Sequence, residues 1–236
     1  MHLLACHLPK IYRAVVLAIF LTACQKAEPQ TQRLLSLPQD PFVQVYFNHA
    51  QLSEYIEPYR QQKRSGDNLE QVIVDTINTA TSTVDVTVQE LRLPKIAQAL
   101  VDRQKAGVKV RVILENNYTR SWSKFTTDEI AKLPPREQAR YKEYRLLIDQ
   151  NDDQKLDVEE INQRDALIIL ENAKVPIIDD TADGSAGSGL MHHKFVIVDN
   201  STLIITSANF TTSDIHGDLQ NINSLGNDNN LLKINS

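Results

Sequence analysis

The sequence predicts an α/β fold: a mixed, mainly parallel sheet with helices on both faces, carrying a helical insert. Three observations predict it. Short runs rich in β-branched residues alternate with stretches of helical periodicity between residues 43 and 114. The 236 residues, 42% hydrophobic and 23% charged, suffice for one good core. Between residues 126 and 173 the pattern turns helical and charged, which marks the insert.

The elements follow in order. VQVYF, residues 43–47, reads as the first strand. Asp67 and Asn68 offer an N-cap to a helix whose apolar positions are Leu69, Val72, Ile73, Ile77 and Ala80. VDVTV, residues 84–88, alternates as a strand should. Pro94 suits the first turn of a second helix, with Ile96, Ala97, Leu100 and Val101 on one face, and Gly107 is a good stop. VKVRVIL, residues 108–114, is the next strand. Within the insert, about 119–174, Thr127 heads one helix, Pro134 and Pro135 break it, and REQARYKEYRLLI resumes helical spacing. Tyr118, Trp122 and Phe125 read as packing residues. Strands return at 175–178, 194–198 and 203–206, and a last one lies at 231–234. No internal repeat is visible.

The N-terminal segment reads as an export signal. Lys10 and Arg13 precede ten apolar residues, 14–23, far short of the roughly 20 that span a bilayer. Leu21-Thr22-Ala23-Cys24 resembles the bacterial lipoprotein signal. That resemblance implies removal of residues 1–23, acylation of Cys24 and membrane attachment in the bacterial cell envelope; a plain secretory signal is the alternative. Residues 24–41, a Gln/Pro-containing stretch without periodicity, read as a tether to a domain at 42–236. With Cys6 in the discarded part, the domain keeps no thiol, which suits an oxidising compartment. Two cysteines cannot build a disulfide framework. The net charge of −5 argues against gripping nucleic acid by bulk electrostatics, while leaving room for a local basic pocket.

Residues 149–160, DQNDDQKLDVEE, put oxygen-bearing side chains at loop positions 1, 3, 5, 9 and 12, with an aliphatic residue at position 8. This resembles an EF-hand calcium loop. The resemblance implies a structural Ca2+ held by Asp149, Asn151, Asp153, Asp157 and Glu160, with Lys155 contributing its carbonyl. Position 6, normally Gly because the turn needs positive φ, is Gln154, at a cost of the order of 1 kcal/mol. An acidic, solvated helix–helix connection is the alternative.

The chemistry concentrates near the C-terminus, in MHHKFVIVDNSTLIITSANF. In an extended strand His192 and Lys194 share one face and His193 takes the other. Ser207 and Asn209 repeat that spacing on the next strand, and a hairpin through Asn200 and Ser201 would bring the strand ends together. Ammonium and amide donors suit phosphate oxygens, and a neutral imidazole suits attack on phosphorus.

The spacing H-x-K-x4-D-x6-(G)-S-x-N resembles the signature of the phospholipase D superfamily, departing only at Thr206 in place of Gly. The resemblance extends to most of residues 43–236 and implies a phospholipase D/nuclease-like fold. It implies His192 as the nucleophile forming a phosphohistidine, and Lys194 and Asn209 as binders of the non-bridging oxygens. Ser207 assists in the phosphate pocket. Asp199, the motif's aspartate, belongs to the catalytic signature and is expected to hold the fold rather than touch substrate. The position of an orienting carboxylate falls at Asn229, with Asp228 beside it as the acidic candidate. No cofactor is required for catalysis.

The mechanism needs two histidines, yet the sequence holds one H-x-K, and His216 has no Lys partner. Either two copies form a homodimer with a composite site, or the chain is half of a two-motif enzyme. Three readings follow: a phosphodiesterase acting on phospholipid head groups, a nuclease acting on DNA or RNA, or a non-catalytic, calcium-stabilised envelope protein. The glycine-rich run at 183–189 reads either as a rim permitting close backbone approach or as a surface loop.

Overall fold

The computed structural model describes residues 38–184, 189–221 and 223–236, which fall within one unit, Ser36–Ser236. The export signal, Cys24, most of the tether and the middle of the glycine-rich run lie outside the described residues.

The first strand, β1 (Val43–Phe47), leads into a small hairpin of β2 (Glu54–Ile56) and β3 (Lys63–Ser65). Helix α1 (Leu69–Asn78) starts at the expected cap, where the Asn68 side chain accepts from the Gln71 N–H. Strand β4 (Thr83–Val88), helix α2 (Pro94–Lys105) and strand β5 (Lys109–Leu114) form a βαβ unit. The insert supplies α3 (Thr127–Ala131), α4 (Pro135–Ile148), α5 (Val158–Arg164) and α6 (Ala166–Asn172). Then come β6 (Ile177–Asp179), β7 (Lys194–Val198), β8 (Thr202–Thr206), the one-turn α7 (Thr212–Ile215) and β9 (Asn230–Asn235).

Among the described residues, seven strands form one sheet in the order β1-β9-β8-β7-β4-β5-β6. The α/β class holds, but the expectation of a mainly parallel sheet is corrected. Only β4 with β5 and β5 with β6 run parallel. The other four neighbouring pairs are antiparallel. Helical crossovers impose parallel pairing, and these exist only in the first half of the sheet. The tight turn from β7 to β8 forces antiparallel pairing. There Asp199 and Asn200 sit at φ +51° and +52°, and the Ser201 N–H donates to the Val198 carbonyl at 3.0 Å. Asp and Asn tolerate that left-handed region best among residues with a side chain.

Alternation along the strands decides which face is covered. Val84, Val86, Val110, Val112, Val196, Val198 and Ile204 share one face and are buried with Leu69, Ile73, Leu100, Leu167 and Leu170 from the helices. Helix α6, from the insert, packs on α2, so the insert contributes to the common core. On the opposite face Val43, Ile113, Ile178 and Ile205 remain between 36% and 47% exposed. The expectation of helices on both faces is therefore corrected: the described helices bury their apolar stripes against one face. The sequence could not show this, because β7 and β8 are aliphatic on both sides. No helix among the described residues is long and apolar enough to cross a membrane.

Candidate active site

Register alone brings the motif together. Lys194 opens β7 opposite Val88, the last residue of β4, and Ser207 follows directly on β8, whose Ile205 pairs with Phe195. The start of β9 lies at the same end, because Thr206 pairs with Leu231. Four strand termini thus converge on one edge. A cavity of about 490 Å3 opens there, lined by His192, Lys194, Ser207 and Asn209 from the motif. His193, on the other side of the strand, does not line it; its ring lies 6.3 Å from that of Phe195.

Each side chain has a distinct environment. Lys194 is 5% exposed and shares the buried face with Val196. Its ammonium donates to the His192 carbonyl at 3.0 Å and to Gln89 Oε1 at 3.4 Å. Burial lowers the Lys194 pKa from the ordinary lysine value, and the Asp214 carboxylate offsets part of that shift. His192 is exposed at the cavity, and its ring makes no hydrogen bond among the described residues. Ala208 and Phe210, both 0% exposed, anchor the loop after β8 in the core, so Ser207 and Asn209, which alternate with them, face the cavity. Asn209 Oδ1 is buried without a partner, while its backbone N–H donates to Asp214 Oδ2 at 2.8 Å. The Ser207 hydroxyl donates to Asn229 Oδ1 at 2.8 Å and accepts from the Asn230 N–H at 3.0 Å. Thr206, at the Gly position, directs its hydroxyl to the Asn230 carbonyl at 2.6 Å.

The remaining residues singled out in the sequence take different places. Asp199 does not line the cavity. Its carboxylate accepts from the N–H groups of Thr81, Ser82 and Thr83 and from the Thr81 hydroxyl, each at 2.8 Å. It fastens the β7–β8 turn to the head of β4, at the opposite end of the strand from His192. Asp228 is also absent from the lining: its carboxylate is 79% exposed and lies 3.9 Å from His49. Asn229 does line the cavity, held by its N–H to Asn48 Oδ1 at 2.7 Å and by its Nδ2 to the Asp214 carbonyl at 2.8 Å. His216 is buried, with Nε2 2.8 Å from Glu70 Oε2 and Nδ1 2.9 Å from the Tyr55 hydroxyl, which removes it as a second catalytic histidine. Trp122 packs on Phe125 and Tyr141 as expected, but Tyr118 lines the cavity.

Sequence reasoning missed part of the lining. Asp214, 8% exposed, binds the Asn209 N–H and also accepts from Asn227 Nδ2 at 2.5 Å, so it fixes the amide-bearing loop. Glu90, at the end of β4, pairs with Arg92 at 2.9 Å and with Arg140. Arg136 and Arg140 stand at i and i+4 on α4 and bring positive charge to the cavity from the insert. That spacing was readable; the direction in which the helix presents it was not. Arg136 is exposed and makes no ion pair among the described residues. A second cavity, of about 460 Å3, adjoins the first and shares Glu90, Arg136, Arg140, Thr211 and Ser213 with it. Trp122, Ala139, Tyr144 and Leu147 give it an apolar wall.

The calcium-loop residues Asp149, Asn151, Asp153, Lys155 and Asp157 lie between α4 and α5, Glu160 lies in the first turn of α5, and none of them lines either cavity. Among the described residues no group of three or more His, Cys, Asp or Glu side chains is arranged to hold a metal ion.

The chain is similar to several solved structures. Nuc from Salmonella typhimurium, a phospholipase D family member, is 18% identical, with 84% of each chain covered and a TM-score of 0.44. NucT from Helicobacter pylori is 15% identical, over 82% of this chain and 86% of that one, with a TM-score of 0.39. Phosphatidylserine synthase from Haemophilus influenzae Rd KW20 is 16% identical with a TM-score of 0.41; 98% of this chain matches 43% of that one. No curated protein matches. The family model described as "Cardiolipin synthase, PLD-like domain" matches residues 73–233, well over half of the sequence, so the chain belongs to this phospholipase D-like family.

Proposed function

We propose that the protein is a phosphodiesterase of the phospholipase D type that cleaves phospholipid head groups through a phosphohistidine intermediate. The observation that carries this reading is the convergence of His192, Lys194, Ser207 and Asn209 on one cavity. An imidazole nitrogen of His192 attacks phosphorus, the bond to the leaving oxygen breaks, and that oxygen takes a proton from an acid. Lys194 and the Asn209 amide hold the non-bridging oxygens and stabilise the charge that builds on them. Water then attacks phosphorus and gives its proton to the base that the acid has become, the P–N bond breaks, and both the free imidazole and the acid are restored.

The proton donor is the His192 of a second copy, in a composite site about a twofold axis. The sequence has a single H-x-K, and the His192 ring is exposed with no internal hydrogen bond to satisfy it. Two features support a lipid substrate. The apolar wall of the adjoining cavity suits the hydrophobic body of a lipid, and the family description names a lipid-synthesising enzyme. Acylated Cys24 would hold the domain beside its substrate in the bacterial envelope. A nuclease is the second reading, supported by Arg136, which makes no ion pair among the described residues and lines the same cavity as Lys194, a pair of charges that suits a polyanion.

The test uses the full chain in detergent, assayed for head-group release from mixed micelles and for plasmid degradation, each at low and high salt. Salt-insensitive release that His192→Ala abolishes, with unchanged folding, supports the lipid reading. Plasmid degradation that falls steeply with salt and needs His192 supports the nuclease. Neither activity, or activity that survives His192→Ala, overturns the catalytic proposal. An active monomer at micromolar concentration overturns the composite site. The anchor is tested separately: Cys24→Ala should move the protein from the membrane to the soluble envelope fraction.

A further inference from the structure

We infer that residues 149–160 bind a calcium ion that braces the end of α4. The inference does not depend on the catalytic reading. Its first support is Asp149, the C-cap of α4, which is 5% exposed. Asp149 Oδ2 accepts from the Gln154 N–H at 2.9 Å, which turns the carboxylate into the loop. Its other oxygen, Oδ1, is buried with no partner among the described residues. A buried carboxylate oxygen without a donor is costly, and a cation is the natural missing partner. The C-terminal end of a 14-residue helix adds negative potential at the same place.

The rest of the loop is shaped to surround that oxygen. Gln154 adopts φ +64°, so the chain makes the left-handed turn that a glycine usually supplies at this position. Asn151 Oδ1 accepts from the Asp153 N–H at 2.9 Å, and Asp153 Oδ1 accepts from the Lys155 N–H at 2.8 Å. Asp153 keeps Oδ2 for the ion, and Asn151 Oδ1, a carbonyl-type oxygen, keeps a second lone pair. Glu160, 6% exposed, lies across the loop: Oε1 accepts from the Gln150 N–H at 2.8 Å and Oε2 from the Asp157 N–H at 3.3 Å. Asp157 Oδ1 in turn caps the Glu160 N–H at 2.8 Å. Closing a full coordination shell requires Glu160 to exchange one of these bonds for the ion, which is why no cage stands complete beforehand. Nearby cations are Arg60, 3.5 Å from Asp152, and Arg145, which donates to the Gln154 carbonyl; neither reaches Asp149 Oδ1.

An all-oxygen donor set with flexible carboxylates selects calcium over transition metals and over the rigid octahedron that magnesium demands. With a non-glycine residue at the turn, the dissociation constant belongs near the weak end of such loops, about 10⁻⁴ M. The consequence is mechanical. Calcium would fix the C-terminal end of the helix whose first turns carry Arg136 and Arg140 to the catalytic cavity.

The test is calorimetric titration of calcium into the full chain in detergent, with thermal unfolding in EDTA, 10 mM CaCl2 and 10 mM MgCl2. Calcium at about a hundred times the dissociation constant should raise Tm by roughly 5–10 °C. Magnesium should do much less. Asp153→Ala removes an exposed carboxylate with one internal bond, so Tm in EDTA should stay within about 2 °C while calcium affinity falls at least tenfold. Gln154→Gly should tighten binding. No binding heat and no Tm shift at 10 mM calcium overturns the inference. So does an equal shift with magnesium, or one retained in full by Asp153→Ala.

Discussion

Replacing Asp199 separates the two roles open to the aspartate of the motif: fastening the fold or serving the reaction. The carboxylate takes four hydrogen bonds at 2.8 Å, three from backbone N–H groups and one from the Thr81 hydroxyl. A buried hydrogen bond to a charged group contributes about 1.5–3 kcal/mol. This cluster is open to water on one side, which takes over part of each bond, so about 0.5–1 kcal/mol apiece is the working figure. Four such bonds sum to about 2–4 kcal/mol. Alanine must also hold φ +51°, at about 1 kcal/mol more. At about 2–4 °C per kcal/mol, Asp199→Ala should lower Tm by roughly 6–20 °C. Asp199→Asn tolerates the left-handed turn and keeps one acceptor, so its loss should be about half. Thermal unfolding gives both numbers, and turnover at 25 °C, well below either Tm, should stay within about twofold of the parent. The pH dependence has a defined sign. The N–H groups of Thr83 and Thr81 hold the Asp199 carboxyl well below the usual range. Its stabilisation is therefore complete above the unfolded pKa, near 3.9, and is lost as pH falls through the folded value. The Tm gap between parent and Asp199→Asn should shrink below about pH 4. A variant that keeps its Tm but loses turnover a hundredfold would refute the structural role.

Three further outcomes follow from the geometry. Gly66 sits at φ +97°, and a Cβ there would lie 1.9 Å from the carbonyl of Asn48, the residue that holds Asn229 at the cavity. Gly66→Ala should cost at least about 3 kcal/mol, seen as a collapse of Tm or of soluble yield, and a neutral result would refute the close approach. Arg136→Glu reverses a charge in the cavity lining without breaking an ion pair. It should raise KM about tenfold or more with little change in kcat, and an unchanged KM would exclude Arg136 from substrate binding. Burial and the neighbouring Asp218 carboxyl push the Glu143 carboxyl up to about 7. The folded state then holds a proton that the unfolded state releases, so stability falls as pH rises from about 4.5 to 7. Glu143→Gln should match the parent near pH 4 and exceed its Tm at pH 8; an identical pH profile would refute the shift.

The sequence alone determined the elements and their spacing, because side-chain periodicity and caps act locally. Asn68 and Pro94 were readable, as was a hairpin, expected through Asn200-Ser201 and found one residue earlier with Asp199 and Asn200 at positive φ, and the H-x-K spacing placed His192 and Lys194 on one side of a strand. The sequence also singled out His192, Lys194, Ser207 and Asn209, which line one cavity. Tertiary structure decided what those positions meet. The antiparallel half of the sheet, the bare face carrying Ile113 and Ile205, and the distance of Asp199 from the cavity all depend on pairing between strands far apart in sequence. Asp214, Tyr118 and Arg136 reach the cavity from separate segments, none of which is marked by a local pattern. The use of His216 as the buried partner of Glu70 follows from packing across 146 residues. Local propensity sets the faces of an element, whereas which face is buried and which carboxylate approaches which cation is settled only when the whole core closes.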